Sequence, residues 1–400
     1  MAIATVGVLG CGTMGSGIAE LAARSGYQVI FRETDDDRVE SGLANIRQSL
    51  DRAVERGKIE STARDEALGK IRGTTTLTDL KECDLVIEAI PEQLALKEEA
   101  FRELDALLPE EAIIASNTSS LPIIEMATAT SRPSRVIGVH FFNPAPVMGL
   151  VELVRTVVTT DTVLSDAKAF VESLGKTPVV CQDRAGFIAN LLLFPYLNNA
   201  VKMFEAGYAS REDIDAAMRF GCGHPMGPLA LVDLIGLDTT YEILEAMHQQ
   251  FREQVYAPAP ILKHLVSAGF LGRKSGRGFY SYEEPGSPRI TDANETHSTK
   301  EAAAAHIKKV GVLGSGTMAN GIAEVLAKAG LEVVIRARSE QKVAASKAAI
   351  EKSLARAVAK GKMTEEQLAE IAARVSGTVD LEGFASCDLV IEAVAEELDI

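Results

Sequence analysis

Fifteen residues near the start of the chain, VGVLGCGTMGSGIAE from Val6, return as VGVLGSGTMANGIAE from Val310. The offset of 304 then persists without gaps, carrying Gly26 onto Gly330, Ser49 onto Ser353, Arg52 onto Arg356 and Cys83 onto Cys387, up to the second copy of CDLVIEA. A long repeat at one fixed offset makes the chain a tandem of one architecture, and each copy opens on an apolar β-branched run, a glycine turn and a helical pattern. That head dictates an α/β unit with a parallel sheet. The chain therefore holds one complete module and the opening third of another, and its end at Ile400 is expected to be a truncation of a longer tandem protein.

The spacing divides the chain further. Residues 1–182 alternate strand-like and helical patterns, whereas from Asp183 onward long helical patterns such as FIANLLLFPYLNNAVKMFEAG dominate to residue 283. The stretch EEPGSPRITDANETHSTKEAAAAH, 284–306 with Glu283 before it, is polar and reads as a linker. Residues 307–400 form the incomplete second copy. The expected fold class is α/β: a Rossmann-type dinucleotide-binding domain, an all-α C-terminal domain, then a partial second Rossmann-type domain.

In the first copy the apolar run ATVGVL leads into Gly10, Gly12, Thr13, Met14 and Gly15, and then into IAELAARSG. The first glycine permits a tight turn, the second lets backbone approach a pyrophosphate at the helix N-terminus, and the third allows close helix–strand packing. The next strand, YQVIFR, ends at Glu33, 23 residues after Gly10. An acid at about 20 residues from the first glycine accepts hydrogen bonds from the adenine ribose and repels a 2′-phosphate, so the cofactor is expected to be NAD.

A net charge of −15 argues against general nucleic-acid or anionic-membrane binding. The longest charge-free stretches, Val136–Val151 and Ala185–Val201, carry prolines, asparagines or a histidine, and neither reads as a membrane span. Five scattered cysteines without ligand spacing, and no targeting pattern before Arg24, point to a reduced, cytoplasmic setting without a metal site.

His140 in GVHFFNP, by itself in an apolar stretch, reads either as a satisfied core histidine or as the base that takes the proton of a secondary alcohol during hydride transfer. Glu152, across the NPAPVMG turn, is placed to fix the imidazole tautomer and stabilise the imidazolium. Ser49, Arg52 and Arg56 share one face of the helix after YQVIFR, a face able to grip phosphate or to remain solvated surface.

SNTSSLP from Ser116, GVHFFNPAPVMGLVELV from Gly138 and DRAGFIANLLLFPYLNNA from Asp183 together resemble the 3-hydroxyacyl-CoA dehydrogenase family, its 3-hydroxybutyryl-CoA branch in particular, over residues 4–283. The resemblance implies a catalytic set of His140, Glu152, Ser119 and Asn190, with Ser119 and Asn190 holding the substrate oxygen. It implies cofactor contacts at Glu92, Lys97, Ser119, Asn143 and Lys274, coenzyme A contacts at Ser49 and Arg56, and a homodimer through the helical half. The implied reaction is the NAD-dependent interconversion of 3-hydroxybutyryl-CoA and acetoacetyl-CoA. Leu191 departs from the family, whose members usually carry arginine there. Two alternatives stand beside this reading: a dehydrogenase of a non-CoA hydroxy acid, and a catalytically silent NAD-binding structural or regulatory protein.

In the second copy Gly15 becomes Ala319, Glu33 becomes Ala337, and Arg338 follows. Loss of the acid removes the ribose partner, so no second NAD site is expected there, and any residual binding tilts toward a 2′-phosphate.

Overall fold

The computed structural model describes residues 3–292 and 306–396 and divides the chain into two compact units, Met1–Thr291 and Asp292–Ile400. In the first unit the repeat head forms β1 (Thr5–Leu9), α1 (Thr13–Arg24), β2 (Gln28–Arg32) and α2 (Asp36–Glu55). Then come α3 (Ser61–Gly69), β3 (Ile71–Thr74), β4 (Leu85–Glu88), α4 (Leu94–Leu107), β5 (Ile113–Ser116), α5 (Ile123–Thr128), β6 (Val136–Phe141), β7 (Leu150–Arg155), α6 (Asp161–Ser173) and β8 (Thr177–Gln182). The strands make one sheet in the order β3-β2-β1-β4-β5-β6-β7-β8, parallel throughout except for the antiparallel pair β6 and β7.

The central strands are buried on both faces, which explains why VGVL, LVIE and VIGVHF read as continuous apolar runs. One hydrophobic cluster, containing Ile18, Phe31, Ile46 and Phe170, sits on the face of α1, α2 and α6; a second, containing Phe101, Leu104 and Met126, sits under α4 and α5. The Asp35 carboxylate caps α2 by accepting the Arg38 N–H at 2.9 Å, which satisfies one of the free donors of the first turn.

Beyond β8 the helices α7 (Ala189–Glu205), α8 (Arg211–Ala216), α9 (Pro228–Ile235), α10 (Leu237–Phe251) and α11 (Pro260–Ser267) pack around a third cluster built on Phe194, Leu197, Leu229, Leu244 and Phe279. Leu191 packs against this cluster half-buried, so the local surroundings are apolar. The segment expected to be linker begins differently. Glu283 donates to the Arg289 carbonyl, Thr291 donates to the Ser281 carbonyl, and Tyr282 bridges Ile290, which places residues 284–291 with the helical part. Ile290 supplies the apolar contact that the polar composition concealed. Residues 293–305, the remainder of the expected linker apart from 292 and 306, lie outside the described residues.

The second unit repeats the beginning of the first. Strands β9 (Lys309–Leu313), β10 (Glu332–Arg336), β11 (Val375–Thr378) and β12 (Leu389–Glu392) form a parallel sheet in the order β11-β10-β9-β12, matching β3-β2-β1-β4. Among the described residues β12 is an edge strand, with Leu389 and Val390 exposed. No helix among the described residues is long and apolar enough to cross a membrane.

Candidate active site

The C-terminal ends of β1, β2, β4, β5 and β6 meet at one rim of the sheet, where an α/β fold places its ligands. At β1 the glycine turn has the shape a dinucleotide needs. A Cβ at position 15 would lie 1.8 Å from the Gly10 carbonyl oxygen, so α1 approaches the strand only because Gly15 has none, whereas Gly12 has nothing within 4 Å of its Cβ direction and presents open backbone. Glu33 follows β2 and accepts the Cys11 N–H at 2.6 Å, tying the acid to the turn it serves. Gly10, Gly12, Thr13, Met14, Glu33 and Arg38 line a cleft of about 680 Å³ with part of α4. These residues fit an NAD adenosine: open backbone for the pyrophosphate, a carboxylate for the ribose.

The next group surrounds Glu88, which sequence reasoning missed. It ends the buried strand β4 and is fully buried; its Oε1 accepts the Lys97 ammonium at 2.6 Å and the Ile90 N–H at 2.7 Å, while Oε2 accepts the Ser116 hydroxyl at 2.6 Å. Lys97 also reaches Glu92 at 3.2 Å. Glu92 in turn accepts the Thr118 hydroxyl, the Ser119 N–H and the Ser120 hydroxyl, which fixes the SNTSS loop. Burial alone would raise the Glu92 carboxyl, but the Lys97 charge and these hydrogen bonds outweigh it and hold it below its ordinary value. Lys97, expected at the cofactor, is buried and committed to two carboxylates, although it borders the cleft that Ser119 and His140 also line. The missed signal was a glutamate closing an otherwise apolar strand, present in both copies as VIEA.

His140 and Glu152 are direct cross-strand partners in the β6–β7 pair. Antiparallel pairing across the NPAPVMG turn thus sets His140 Nδ1 2.8 Å from Glu152 Oε2, with both side chains buried. The other carboxylate oxygen accepts the Ile188 N–H at 3.0 Å and the Ala189 N–H at 2.8 Å. Those two N–H groups reach the carboxylate because the chain kinks at Gly186 and Phe187, the latter with φ of 49°, a rare backbone state for a bulky residue that tertiary contacts must impose. Burial pushes the Glu152 carboxyl up, but the His140 hydrogen bond and the two backbone donors more than compensate, leaving it below the usual carboxylate range. Phe142 and Phe187 flank the imidazole with centroids at 4.6 and 5.4 Å.

A cleft of about 970 Å³ joins Ser119, His140, Asn143, Asn190 and Lys274. Among the described residues the Ser119 hydroxyl, the Asn190 amide and His140 Nε2 have no protein hydrogen-bond partner, so three polar groups of this cleft are uncommitted. Lys274 is paired with Asp238 at 2.6 Å and is half-exposed. A connected cleft of about 230 Å³ runs between α1, α2 and the Pro144–Pro146 turn; Ser49 and Arg52 line it together with Asn143. Arg56, expected beside Ser49, caps the C-terminal end of α2 on exposed surface, one turn beyond Arg52. The described residues contain no group of three or more candidate metal ligands.

Chemically the main cleft offers a buried imidazole held by a carboxylate, two neutral hydrogen-bonding side chains beside it, and a dinucleotide turn at one end. Comparison with known proteins bears on the family of the whole chain. The model described as "3-hydroxyacyl-CoA dehydrogenase, NAD binding domain" matches residues 5–184 and again 309–400, and the model of the C-terminal domain of the same family matches residues 186–282. A 3-hydroxybutyryl-CoA dehydrogenase from Mycobacterium tuberculosis is 51% identical over 283 residues, covering 70% of this chain and 99% of that protein. A probable 3-hydroxybutyryl-CoA dehydrogenase from Bacillus subtilis is 46% identical over 284 residues, covering 71% and 99%. The crystal structure of an (S)-3-hydroxybutyryl-CoA dehydrogenase from Ralstonia eutropha is 44% identical with a TM-score of 0.69, covering 71% of this chain and 100% of that one.

Proposed function

The chain belongs to the 3-hydroxyacyl-CoA dehydrogenase family, and on that premise we propose that its first unit interconverts short-chain (S)-3-hydroxyacyl-CoA and 3-ketoacyl-CoA, with 3-hydroxybutyryl-CoA and acetoacetyl-CoA as the pair. The observation that carries this reading is the His140–Glu152 pair opening onto a cleft shared with Ser119 and Asn190.

Gly10, Gly12, Thr13 and Met14 hold the pyrophosphate, Gly15 lets α1 close on the turn, Glu33 holds the adenine ribose, and Asn143 with Lys274 border the nicotinamide end. When bound there, NAD supplies the hydride acceptor. In oxidation His140 Nε2 takes the proton of the 3-hydroxyl, and Glu152 stabilises the resulting imidazolium through Nδ1. In reduction the same proton returns to the 3-keto oxygen. Ser119 and Asn190 hold that oxygen in both directions, since their side chains are not spent on protein partners. Glu92 and Lys97 act on the cofactor side by fixing the Ser119 loop. Ser49 and Arg52 receive the coenzyme A moiety in the adjoining cleft, with Arg56 available to its outer phosphate.

The helical half pairs two chains. Leu192 is 71% exposed, and Tyr208 and Phe220 are each 79% exposed, large apolar side chains of the helical half that a partner would cover. The setting is the cytoplasm, consistent with five free cysteines.

The test is NADH oxidation with acetoacetyl-CoA against free acetoacetate. Turnover that needs the coenzyme A handle is expected. Equal turnover with the free acid would favour a non-CoA hydroxy acid dehydrogenase, and NADH binding without turnover on either would favour the silent protein.

A further inference from the structure

The second unit contains the half of a dinucleotide fold that holds adenosine. Its strand order β11-β10-β9-β12 and its register, Val310 opposite Val333 as Val6 is opposite Val29, reproduce the part of the first unit around the glycine turn. The two copies therefore serve as controls for each other, and they differ where the ribose lies. After β2 the first copy reads Glu33, Thr34, Asp35, Asp36, Asp37, Arg38, four carboxylates against one base; after β10 the second reads Ala337, Arg338, Ser339, Glu340, Gln341, Lys342, one carboxylate against two bases. The local formal charge turns from −3 to +1.

The structure gives this change three local consequences. Ala337 is buried, so the Ser315 N–H, counterpart of the Cys11 N–H that Glu33 accepts, has no acceptor among the described residues. Arg338 is exposed and has neither an ion pair nor a side-chain hydrogen bond among the described residues, whereas Arg336 is tied down by its Nε donating to the Val379 carbonyl, as that of Arg32 does to Thr75. Ala319, buried at the third glycine position, is accommodated by an opening of the turn, with Gly314 at φ of 136° where Gly10 has 90°. Alanine is compatible with the fingerprint at that position, and an arginine at the ribose corner accommodates a 2′-phosphate where an acid would accept a hydroxyl.

We propose that the second unit binds an adenine nucleotide whose ribose carries a phosphate, with Arg338 as the residue that selects it. The guanidinium offers bidentate donors to the phosphate, and Glu33, which would repel that phosphate, has its counterpart removed. The position faced by Glu33 in this fold is the 2′-hydroxyl, so the ligand is the 2′-phosphorylated form rather than the 3′-phosphorylated form found in coenzyme A. The site is independent of the reaction in the first unit.

The experiment is calorimetric titration of the full chain, saturated with NADH at physiological salt, with 2′,5′-ADP, 3′,5′-ADP and 5′-ADP. The expected result is one 2′,5′-ADP per chain, bound at least tenfold tighter than the other two. Arg338→Ala should lose at least tenfold of that affinity, and Arg338→Lys should keep part of it, while NADH-dependent turnover and the circular dichroism of both variants stay those of the parent. No heat with 2′,5′-ADP, unchanged affinity in Arg338→Ala, or equal binding of 3′,5′-ADP would each overturn the assignment.

Discussion

Replacing Glu152 by glutamine separates charge from shape at the centre of the first unit. Glutamine keeps the volume and one carbonyl oxygen, which can go on accepting the Ile188 and Ala189 N–H groups now at 3.0 and 2.8 Å. Its amide nitrogen then faces His140 Nδ1, where it can only donate. The ring proton is thereby forced onto Nε2, the atom that must accept the substrate proton, and the base is held in the wrong tautomer. The same swap in a serine-protease triad costs about 10⁴-fold, and positioned general bases contribute about 10²–10⁴-fold. The kcat of Glu152→Gln should fall by about 10²–10⁴-fold with KM for NADH little changed.

The stability cost should be small by comparison. Charge-assisted hydrogen bonds worth about 1.5–3 kcal/mol are exchanged for neutral ones near 1 kcal/mol, whereas Glu152→Ala would strand buried donors at about 1–3 kcal/mol each. A pH signature accompanies the swap. The Glu152 carboxyl lies below its ordinary value of 4.5 in the folded protein, so it adds stability in full above about pH 4.5 and loses it as pH falls through the lower folded value. The gap in melting temperature between parent and Glu152→Gln should therefore close on acidification. Stopped-flow turnover, NADH fluorescence titration and thermal melts between pH 3 and 7 read all three quantities. A Glu152→Gln enzyme with near-parental kcat would refute the tautomer reasoning.

Three further outcomes follow from the same geometry. Glu33→Ala should narrow the preference for NAD over NADP, measured as the ratio of kcat/KM values; a parent enzyme indifferent to the two cofactors would sink the assignment of Glu33. Deletion of everything after Thr291 should leave specific activity intact, whereas cutting after Glu283 removes Ile290 from Tyr282 and should lower the melting temperature, by about 2–4 °C for each kcal/mol lost. NADH titration should saturate at one per chain because Ala337 cannot replace Glu33, and two NADH per chain would contradict that reading.

What the sequence disclosed and what it concealed divide along physical lines. Periodicity and glycine spacing are local signals, so the β1–α1–β2 head, the gapless second copy and the change to helices after Asp183 were legible. The pairing of His140 with Glu152 was expected from chemistry, and the register of β6 and β7 supplies its geometry. Glu88 was invisible because its meaning lies in Lys97 on α4 and Ser116 on β5, partners that the fold and not the local sequence brings to it. Arg52 and Arg56 are indistinguishable by helical spacing; only the end of α2 at Glu55 and the position of the Pro144–Pro146 turn separate them. The tail 284–291 has linker composition, and its placement depends on one apolar side chain, Ile290, meeting Tyr282.

The proposed chemistry stands or falls on His140. With Glu152 holding Nδ1 at 2.8 Å, Nε2 is the only imidazole nitrogen left to exchange a proton with substrate. The most direct measurement is the steady-state turnover of acetoacetyl-CoA with NADH by His140→Ala, with NADH affinity measured by fluorescence on the same preparation. A fall in kcat of about 10²-fold or more with NADH affinity retained is the predicted result; a variant that turns over at the parental rate would show that the proton travels by another group.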